Sequence, residues 1–245
     1  MKALIFAAGL GTRLKPITDS LPKALVPICG KPLIEHVLSK LKVAGFDDFV
    51  VNVHHFADKI EAWFEGNHRD WTVAFSDERD SLRETGGGIR HAQNLLCSGA
   101  SDQPFLVHNV DIISNLDLSK FISQTHPWAL ATLVVSERKT SRYLLFDDDM
   151  KLLGWTNVTT GEVKSPYGAI DPSKYHQYAF AGIHLISPSI FKLMEDWPEK
   201  FSIIDFYLSQ AASHDIYGWV PEDFKMIDVG KLDSLKQAES LCRNL

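Results

Sequence analysis

Hydrophobic residues in the first half of the chain form short continuous runs separated by amphipathic stretches. The run at residues 2–8 predicts a strand that is buried on both faces. From Pro32, apolar residues recur at helical spacing until Gly45, which predicts a helix. The same alternation continues with strands at 49–53, 71–76 and 104–108 and helices at 58–65 and 85–96. This order predicts an α/β fold with a parallel sheet.

The second half of the chain has a less regular pattern. A strand is predicted at 128–136, and the runs 143–146 and 151–154 flank an aspartate-rich turn, which predicts a hairpin. Residues 158–177 are rich in Thr, Lys, Gly, Pro and Tyr and are predicted to form a long exposed loop, a length that is often functional. The remaining patterns predict strands at 178–186, 216–220 and 225–229 and helices at 188–197, 203–213 and 231–243.

Composition and charge exclude several classes of function. With 245 residues and 45% hydrophobic content, the chain is large enough for a substantial core. Its net charge of −6 and its lack of Lys/Arg blocks argue against a nucleic-acid partner. No apolar stretch reaches the roughly 18 residues of a membrane helix, so no membrane partner is expected. The pattern leaves the oligomeric state open.

The cysteines indicate the redox compartment. Cys29, Cys97 and Cys242 are far apart in the sequence, odd in number and without metal-ligand spacing. Neither a disulfide framework nor a structural zinc site is therefore expected, and a cytoplasmic location fits best.

The first predicted strand leads into a glycine-rich, cationic loop. Its sequence is Gly9-Leu10-Gly11-Thr12-Arg13-Leu14, followed by Pro22-Lys23-Ala24-Leu25. Glycines let backbone N–H groups approach an anion, Arg13 offers a planar donor fork, and Lys23 adds a point charge. The spacing fits neither the dinucleotide fingerprint nor the Walker loop. The loop therefore favours phosphate, and so a nucleotide.

Across nearly its whole length the chain resembles the sugar-phosphate nucleotidyltransferases, or nucleotide-sugar pyrophosphorylases. Besides residues 9–25, the matching motifs are Glu84-Thr85-Gly86-Gly87-Gly88, Asn109-Val110-Asp111, Phe180-Ala181-Gly182-Ile183 and Ile227-Asp228-Val229-Gly230. Its short length and its Glu-Thr-Gly-Gly-Gly run are most similar to the N-acetylmuramate 1-phosphate uridylyltransferases and to small mannose 1-phosphate guanylyltransferase-like proteins.

The resemblance implies an architecture. It is a Rossmann-like three-layer α/β sandwich with a mainly parallel, mixed central sheet, of the nucleotide-diphospho-sugar transferase type. Residues 1–245 would form a single catalytic domain, with a nucleotide-binding half at 1–115 and a sugar-phosphate-binding half at 116–245. The chain has no hexapeptide pattern, so no β-helix domain is expected.

The resemblance also implies a reaction and its residues. A sugar 1-phosphate attacks the α-phosphate of a nucleoside triphosphate, with UTP favoured, and the products are a nucleotide-sugar and pyrophosphate. Arg13 and Lys23 would be catalytic, and Asp111 and Asp228 would bind Mg²⁺, which prefers oxygen ligands. Two alternatives remain open. One is that Arg13 and Lys23 are solvated loop cations, and the other is that each aspartate caps a helix.

Further residues are implied to contact the substrates. The implied nucleotide-binding residues are Ala7, Ala8, Gly9, Gly11, Thr12, Thr85, Gly86 and Gly87, and the implied sugar-binding residues are Asn109 and Gly182. The triple glycine is alternatively a bare helix-start turn. Asn157, Glu162 and Lys164, in or beside the long loop, are additional candidates to meet the sugar. Glu78 lies where a base-contacting side chain would sit, but it is expected to be an exposed loop acid.

Two departures from the family pattern keep other functions open. Val110 replaces the glycine usual in the family, although an extended backbone would make this harmless, and the Glu-Lys-Pro motif of larger members is missing. The alternatives are guanylyl or cytidylyl transfer to mannose 1-phosphate or phosphocholine, and a non-catalytic nucleotide-sugar-binding regulatory protein.

Overall fold

The computed structural model describes residues 1–67, 71–98 and 103–243. The strands are β1 (Lys2–Phe6), β2 (Pro27–Ile28), β3 (Lys31–Pro32), β4 (Asp48–Val53), β5 (Thr72–Asp77), β6 (Phe105–Asn109), β7 (Ile112–Ser114), β8 (Ala131–Ser136), β9 (Arg142–Phe146), β10 (Leu152–Asn157), β11 (Glu162–Lys164), β12 (His176–Ile186), β13 (Ile216–Trp219) and β14 (Met226–Asp228). The helices are α1 (Leu33–Val43), α2 (Ala57–Asn67), α3 (Glu84–His91), α4 (Gln93–Leu96), α5 (Leu118–Ser123), α6 (Ile190–Leu193), α7 (Ile203–Gln210) and α8 (Leu232–Cys242).

A mixed sheet forms the centre of the molecule. Its strand order is β11-β10-β9-β12-β6-β1-β4-β5, and β8 and β13 extend from β12 on a branch. Strands β6, β1, β4 and β5 are parallel, whereas β12 runs antiparallel to β6, β8 and β9. The predicted parallel sheet is confirmed, and β12 joins it to strands from the second half of the chain.

Hydrophobic cores cover both faces of this sheet. Along β1, Ala3 and Ile5 belong to one core while Leu4 belongs to the other, as the alternation of side chains in a strand requires. Buried residues of α1, α2, α5 and α8 complete the first core, and those of α3, α4, α6 and α7 complete the second. The predicted three-layer sandwich is therefore confirmed.

Several predicted elements differ in detail, and the helix predicted at 188–197 is limited to α6 (Ile190–Leu193). The helix predicted at 85–96 is interrupted at Ala92 into α3 and α4. The loop predicted at 158–177 contains β11, which pairs with β10, and a 3-10 turn at Pro172–Lys174. Strand β14 does not join the central sheet but pairs with β7, a short strand that the pattern did not predict.

Two buried histidines lie on neighbouring strands of the central sheet and give it a predictable response to acid. His108 in β6 and His184 in β12 are each 1% exposed. Burial lowers the pKa of His108 to about 4 and that of His184 to about 3. The hydroxyl of Tyr207 lies 2.7 Å from Nδ1 of His184.

We expect the folded state to lose stability as the pH falls below about 6.5, the pKa of histidine in an unfolded chain. The unfolded chain then binds protons that the buried imidazoles reject, at a cost of about 3 kcal/mol per histidine by pH 4. Denaturant unfolding between pH 7 and pH 4 measures this, with His184→Gln expected to flatten the slope and the exposed His126→Gln as control. An unchanged slope in His184→Gln would contradict the prediction.

Candidate active site

The glycine loop emerges at the carboxyl end of β1 and is held by its own residues. Gly11 has φ 64°, and a Cβ there would lie 2.8 Å from Cγ2 of Thr18. The Thr18 hydroxyl donates a hydrogen bond to the Gly11 carbonyl oxygen at 2.7 Å. Gly9, by contrast, has open space where its Cβ would be. The loop is thus fixed at Gly11 and open at Gly9, while Thr12 is exposed.

The two predicted metal-binding carboxylates are brought together by strand pairing. Asp111 follows β6, and Asp228 ends β14, whose partner β7 begins at the residue after Asp111. The Val229 N–H donates to the Asp111 carbonyl oxygen at 2.8 Å. The pKa of Asp228 is raised, first by partial burial and then by the charge of Asp111. The charges of the two carboxylates therefore interact.

The two predicted catalytic cations flank these carboxylates. Lys23 is 9% exposed, and its Nζ donates to Oδ2 of Asp111. Arg13 is exposed and lies beside Asp228, because a Cβ on Gly230 would come within 2.8 Å of both Nη2 of Arg13 and Oδ1 of Asp228. Charges on Lys23 and Arg13 oppose the rise in the pKa of Asp228.

Members of this cluster line two cavities. A smaller one, of about 230 Å³, is lined by Ala8, Gly9, Lys23, Thr85 and Asn109 among others, and it reaches Asp111. A larger one, of about 1280 Å³, is lined by Arg13, Asp228 and residues of β9 to β11. Asp111 lines the smaller cavity and Asp228 the larger one, and the charges of the two carboxylates interact.

The Thr-Gly-Gly run contacts a distant segment of the chain. A Cβ on Gly86 would lie 2.3 Å from the ring of Phe201, and one on Gly87 would lie 2.2 Å from the carbonyl oxygen of Glu199. The Thr85 hydroxyl accepts a hydrogen bond from the Ile203 N–H at 2.9 Å. These glycines therefore permit close packing of residues 199–201 on α3, and their contact with a nucleotide stays a prediction.

Asn109 and Gly182, the predicted sugar-binding residues, are in contact with each other. Gly182 has φ 74°, at the register shift of β12, and a Cβ on it would lie 2.6 Å from Nδ2 of Asn109. Asn109 lines the smaller cavity. Gly182 thus makes room for the Asn109 amide, which is the member of this pair that reaches the cavity.

Val110 does not strain the site. It is 3% exposed, it is not among the residues with positive φ, and its N–H donates to the Phe6 carbonyl oxygen at 3.2 Å. The backbone therefore does not require glycine at this position.

Glu78 is a residue for which the sequence expectation is wrong. It is 0% exposed rather than an exposed loop acid. Its Oε1 accepts from Nδ2 of Asn52 at 2.9 Å, and Oδ1 of Asn52 accepts from the Ala7 and Ala8 N–H groups at 2.7 and 3.1 Å. Those two N–H groups are consequently bound within the protein. The sequence feature that could have pointed to Asn52 is the presence of a polar amide within the apolar run at 49–53.

Arg138 is another residue that the motifs did not reveal. It follows β8, its Nη2 donates to the Phe180 carbonyl oxygen at 3.1 Å, and it lines the larger cavity with Arg142. Its charge lowers the pKa of Asp228. In the described part of the chain, neither arginine has a carboxylate within ion-pairing distance. The sequence feature that could have pointed to Arg138 is a cationic segment directly after an apolar strand.

The candidates from the predicted loop line the same larger cavity. Asn157, Glu162 and Lys164 all contribute to its wall. Nζ of Lys164 lies 3.0 Å from Oδ1 of Asp205 and 3.8 Å from Oε1 of Glu162. Lys164 is therefore neutralised locally, whereas the arginines, Lys139 and Lys231 line the same cavity without an ion pair to a carboxylate among the described residues.

A parallel sheet that carries a glycine loop, two cations and two interacting carboxylates at one edge is the framework of an enzyme that transfers nucleotidyl groups. The family model described as "Nucleotidyl transferase" matches residues 2–244. The chain belongs to this family and is a sugar-phosphate nucleotidyltransferase. Across residues 1–67, 71–98 and 103–243, no helix is long and apolar enough to cross a membrane.

Named relatives cover most of the chain. An N-acetylmuramate α-1-phosphate uridylyltransferase of Caulobacter vibrioides is 35% identical, over 91% of this chain and 90% of that protein. A UTP–glucose-1-phosphate uridylyltransferase of Synechocystis is 29% identical over 97% of this chain but only 62% of the longer relative. Solved structures share the fold: that of HddC from Yersinia pseudotuberculosis, complexed with GMP-PN, has a TM-score of 0.76 at 24% identity and covers 98% and 99% of the two chains.

Proposed function

We propose that this enzyme transfers the uridylyl group of UTP to an amino-sugar 1-phosphate, with N-acetylmuramate α-1-phosphate as the first candidate, and releases pyrophosphate. The observation that carries the proposal is the convergence of four charged residues: Lys23 contacts Asp111, Arg13 lies beside Asp228, and the charges of the two carboxylates interact. The choice of substrates is supported by the relative from Caulobacter vibrioides, which matches over nearly the full length of both proteins.

Asp111 and Asp228 fit a divalent cation. Partial burial, and then the charge of Asp111, raise the pKa of Asp228, and oxygen ligands of this kind suit Mg²⁺. No group of three or more His, Cys, Asp or Glu residues that would hold a metal occurs within the described ranges, so substrate phosphates would supply the remaining ligands. Mg²⁺ held there supplies positive charge to the phosphate oxygens as negative charge accumulates.

The reaction needs no protein nucleophile, because an oxygen of the sugar phosphate attacks the α-phosphorus directly. What the chain supplies is position and charge. Arg13, on the glycine loop, binds the β- and γ-phosphates and stabilises the departing pyrophosphate. Lys23 neutralises charge at the α-phosphate from its fixed place against Asp111.

In this proposal the acceptor binds in the larger cavity, which the triphosphate enters at Arg13. Arg138, fixed by the Phe180 carbonyl and close to Asp228, is placed to bind the phosphate of the sugar 1-phosphate. Arg138 would replace the lysine of the Glu-Lys-Pro motif, which this sequence lacks. Asn109 lines the smaller cavity, so its proposed hydrogen bond to the sugar requires the sugar to extend past Asp111 into that cavity.

Pyrophosphate release tests the function directly. Purified protein with Mg²⁺ is incubated with UTP, GTP, CTP or dTTP against a panel of N-acetylmuramate, N-acetylglucosamine, glucose and mannose 1-phosphates and phosphocholine. We expect the highest kcat/KM for UTP with an amino-sugar 1-phosphate, because base choice is a difference in transition-state binding. Preference for GTP with mannose 1-phosphate would favour the function named for other relatives. Nucleotide binding without turnover in any combination would favour a regulatory protein.

A further inference from the structure

A buried chain of hydrogen bonds connects Glu78 to the start of the glycine loop. Asn52, in β4, is 2% exposed, and Glu78, after β5, is 0% exposed. Oε1 of Glu78 accepts from the Asn52 amide at 2.9 Å, and Oε2 accepts from the Arg83 N–H at 3.1 Å. Oδ1 of Asn52 accepts from the N–H groups of Ala7 and Ala8. The chain thus ends at the two residues that precede Gly9.

The chemistry of these groups fixes the direction of every bond. A carboxylate only accepts hydrogen bonds, and backbone N–H groups only donate. The Asn52 amide therefore has one orientation that satisfies both neighbours, with its NH₂ toward Glu78 and its oxygen toward Ala7 and Ala8. The opposite orientation would place NH₂ against two N–H donors in a buried site, which is costly.

The absence of a side chain at Gly88 leaves space for this chain of hydrogen bonds. A Cβ on Gly88 would lie 3.0 Å from Oε1 of Glu78, 3.0 Å from Cε1 of Phe6 and 3.5 Å from Nδ2 of Asn52. The third glycine of the Glu-Thr-Gly-Gly-Gly run therefore faces the hydrogen-bond chain, whereas the first two face residues 199–201. Asn52 also lines the smaller cavity beside Ala8, Gly9 and Lys23.

We propose that Glu78 and Asn52 are positioning residues for the nucleotide: together they hold Ala7 and Ala8 so that the glycine loop is in place before the triphosphate binds. The inference rests on the proposed function, because it assigns the glycine loop to the nucleotide. Loss of this chain of hydrogen bonds would leave the buried N–H groups of Ala7 and Ala8 without an acceptor, and the glycine loop would then shift. The cost falls on nucleotide binding and much less on the acceptor, whose cavity wall is built from β9 to β11.

The test exchanges hydrogen-bond donors and acceptors between Asn52 and Glu78. Asn52→Asp sets two carboxyl groups against each other, and we expect the KM for UTP to rise about 30-fold or more while the KM for the acceptor changes less than about 3-fold. In the double variant Asn52→Asp/Glu78→Gln, the glutamine NH₂ donates to the new carboxylate and the glutamine oxygen accepts from the Arg83 N–H. The new carboxylate still accepts from Ala7 and Ala8. We expect this double variant to lie within about 5-fold of the wild type.

Ser76→Ala is the matched control. Ser76 lies on β5 in register with Asn52, and its buried Oγ has no hydrogen-bond partner among the described residues, so its variant should keep the wild-type KM for UTP. Calorimetric titration with UTP and Mg²⁺ alone reads nucleotide affinity without turnover, which separates this inference from failure of the proposed reaction. If Asn52→Asp does not fold, the double variant decides. A double variant that binds UTP more than 30-fold more weakly than the wild type, or equal losses for both substrates, would overturn the proposal.

Discussion

Replacing Asp111 by asparagine is expected to lower the kcat for pyrophosphate release by about 1000-fold. Asp111 accepts from Lys23 and faces Asp228, so the change removes a metal-binding oxygen and the partner of a buried cation together. The neutral amide would also leave the positive charge of Lys23 unbalanced in a mostly buried position. Asp228→Asn is expected to act in the same direction, because it removes the second carboxylate.

The measurement is steady-state pyrophosphate release across a range of Mg²⁺ concentrations, with Mn²⁺ binding followed separately by electron paramagnetic resonance. Weaker Mn²⁺ binding in both variants would show that the carboxylates hold the metal. Asp233→Asn is the control. Asp233 also lines the larger cavity, but its charge is not among those that shift the pKa of Asp228. A kcat for Asp111→Asn within 10-fold of the wild type would reject its role.

The second large effect is expected for Arg13→Ala, with kcat/KM for UTP falling about 100-fold to 1000-fold. The Arg13 guanidinium lies beside Asp228 in space that Gly230 leaves free, and no carboxylate of the described chain pairs with it. Its positive charge is consequently available to a phosphate. Arg13→Lys should recover only part of the loss, because an ammonium group lacks the planar fork that binds two phosphate oxygens.

Lys15→Ala provides the comparison on the same loop. Lys15 is exposed two residues further on, and its Nζ lies 3.0 Å from Oδ1 of Asp19, so its charge is already compensated. We expect its variant to keep kcat/KM for UTP within about 3-fold. Equal losses in the Lys15 and Arg13 variants would mean that the loop attracts nucleotides by net charge alone.

The sequence predicted the part of the site that lies in continuous motifs. Arg13 and Lys23 were evident because they flank glycines and prolines next to an apolar strand, and Asp111 because it follows another such strand. Their neighbours were harder to predict. Arg138 belongs to no motif, and its hydrogen bond to the Phe180 carbonyl oxygen depends on the pairing of β8 with β12.

The glycines of residues 84–88 show a different limit. Their run suggested backbone contact with a nucleotide, yet each glycine makes room for a different group of the protein. Gly86 and Gly87 admit Phe201 and Glu199, more than a hundred residues away, and Gly88 admits Glu78. A glycine in the sequence signals a close approach, but the approaching group is unknown until the chain is folded.

The sequence by itself determined the alternation of strands and helices, the two-faced burial of the sheet and the phosphate-binding character of the loop. These properties are local, because periodicity and turn chemistry act within a few residues. Tertiary structure decided which polar groups became partners. The burial of Glu78 against Asn52 and the approach of Asp228 to Asp111 both depend on strands that pair across long stretches of sequence. No local pattern encodes that pairing, because its free energy comes from packing the whole sheet.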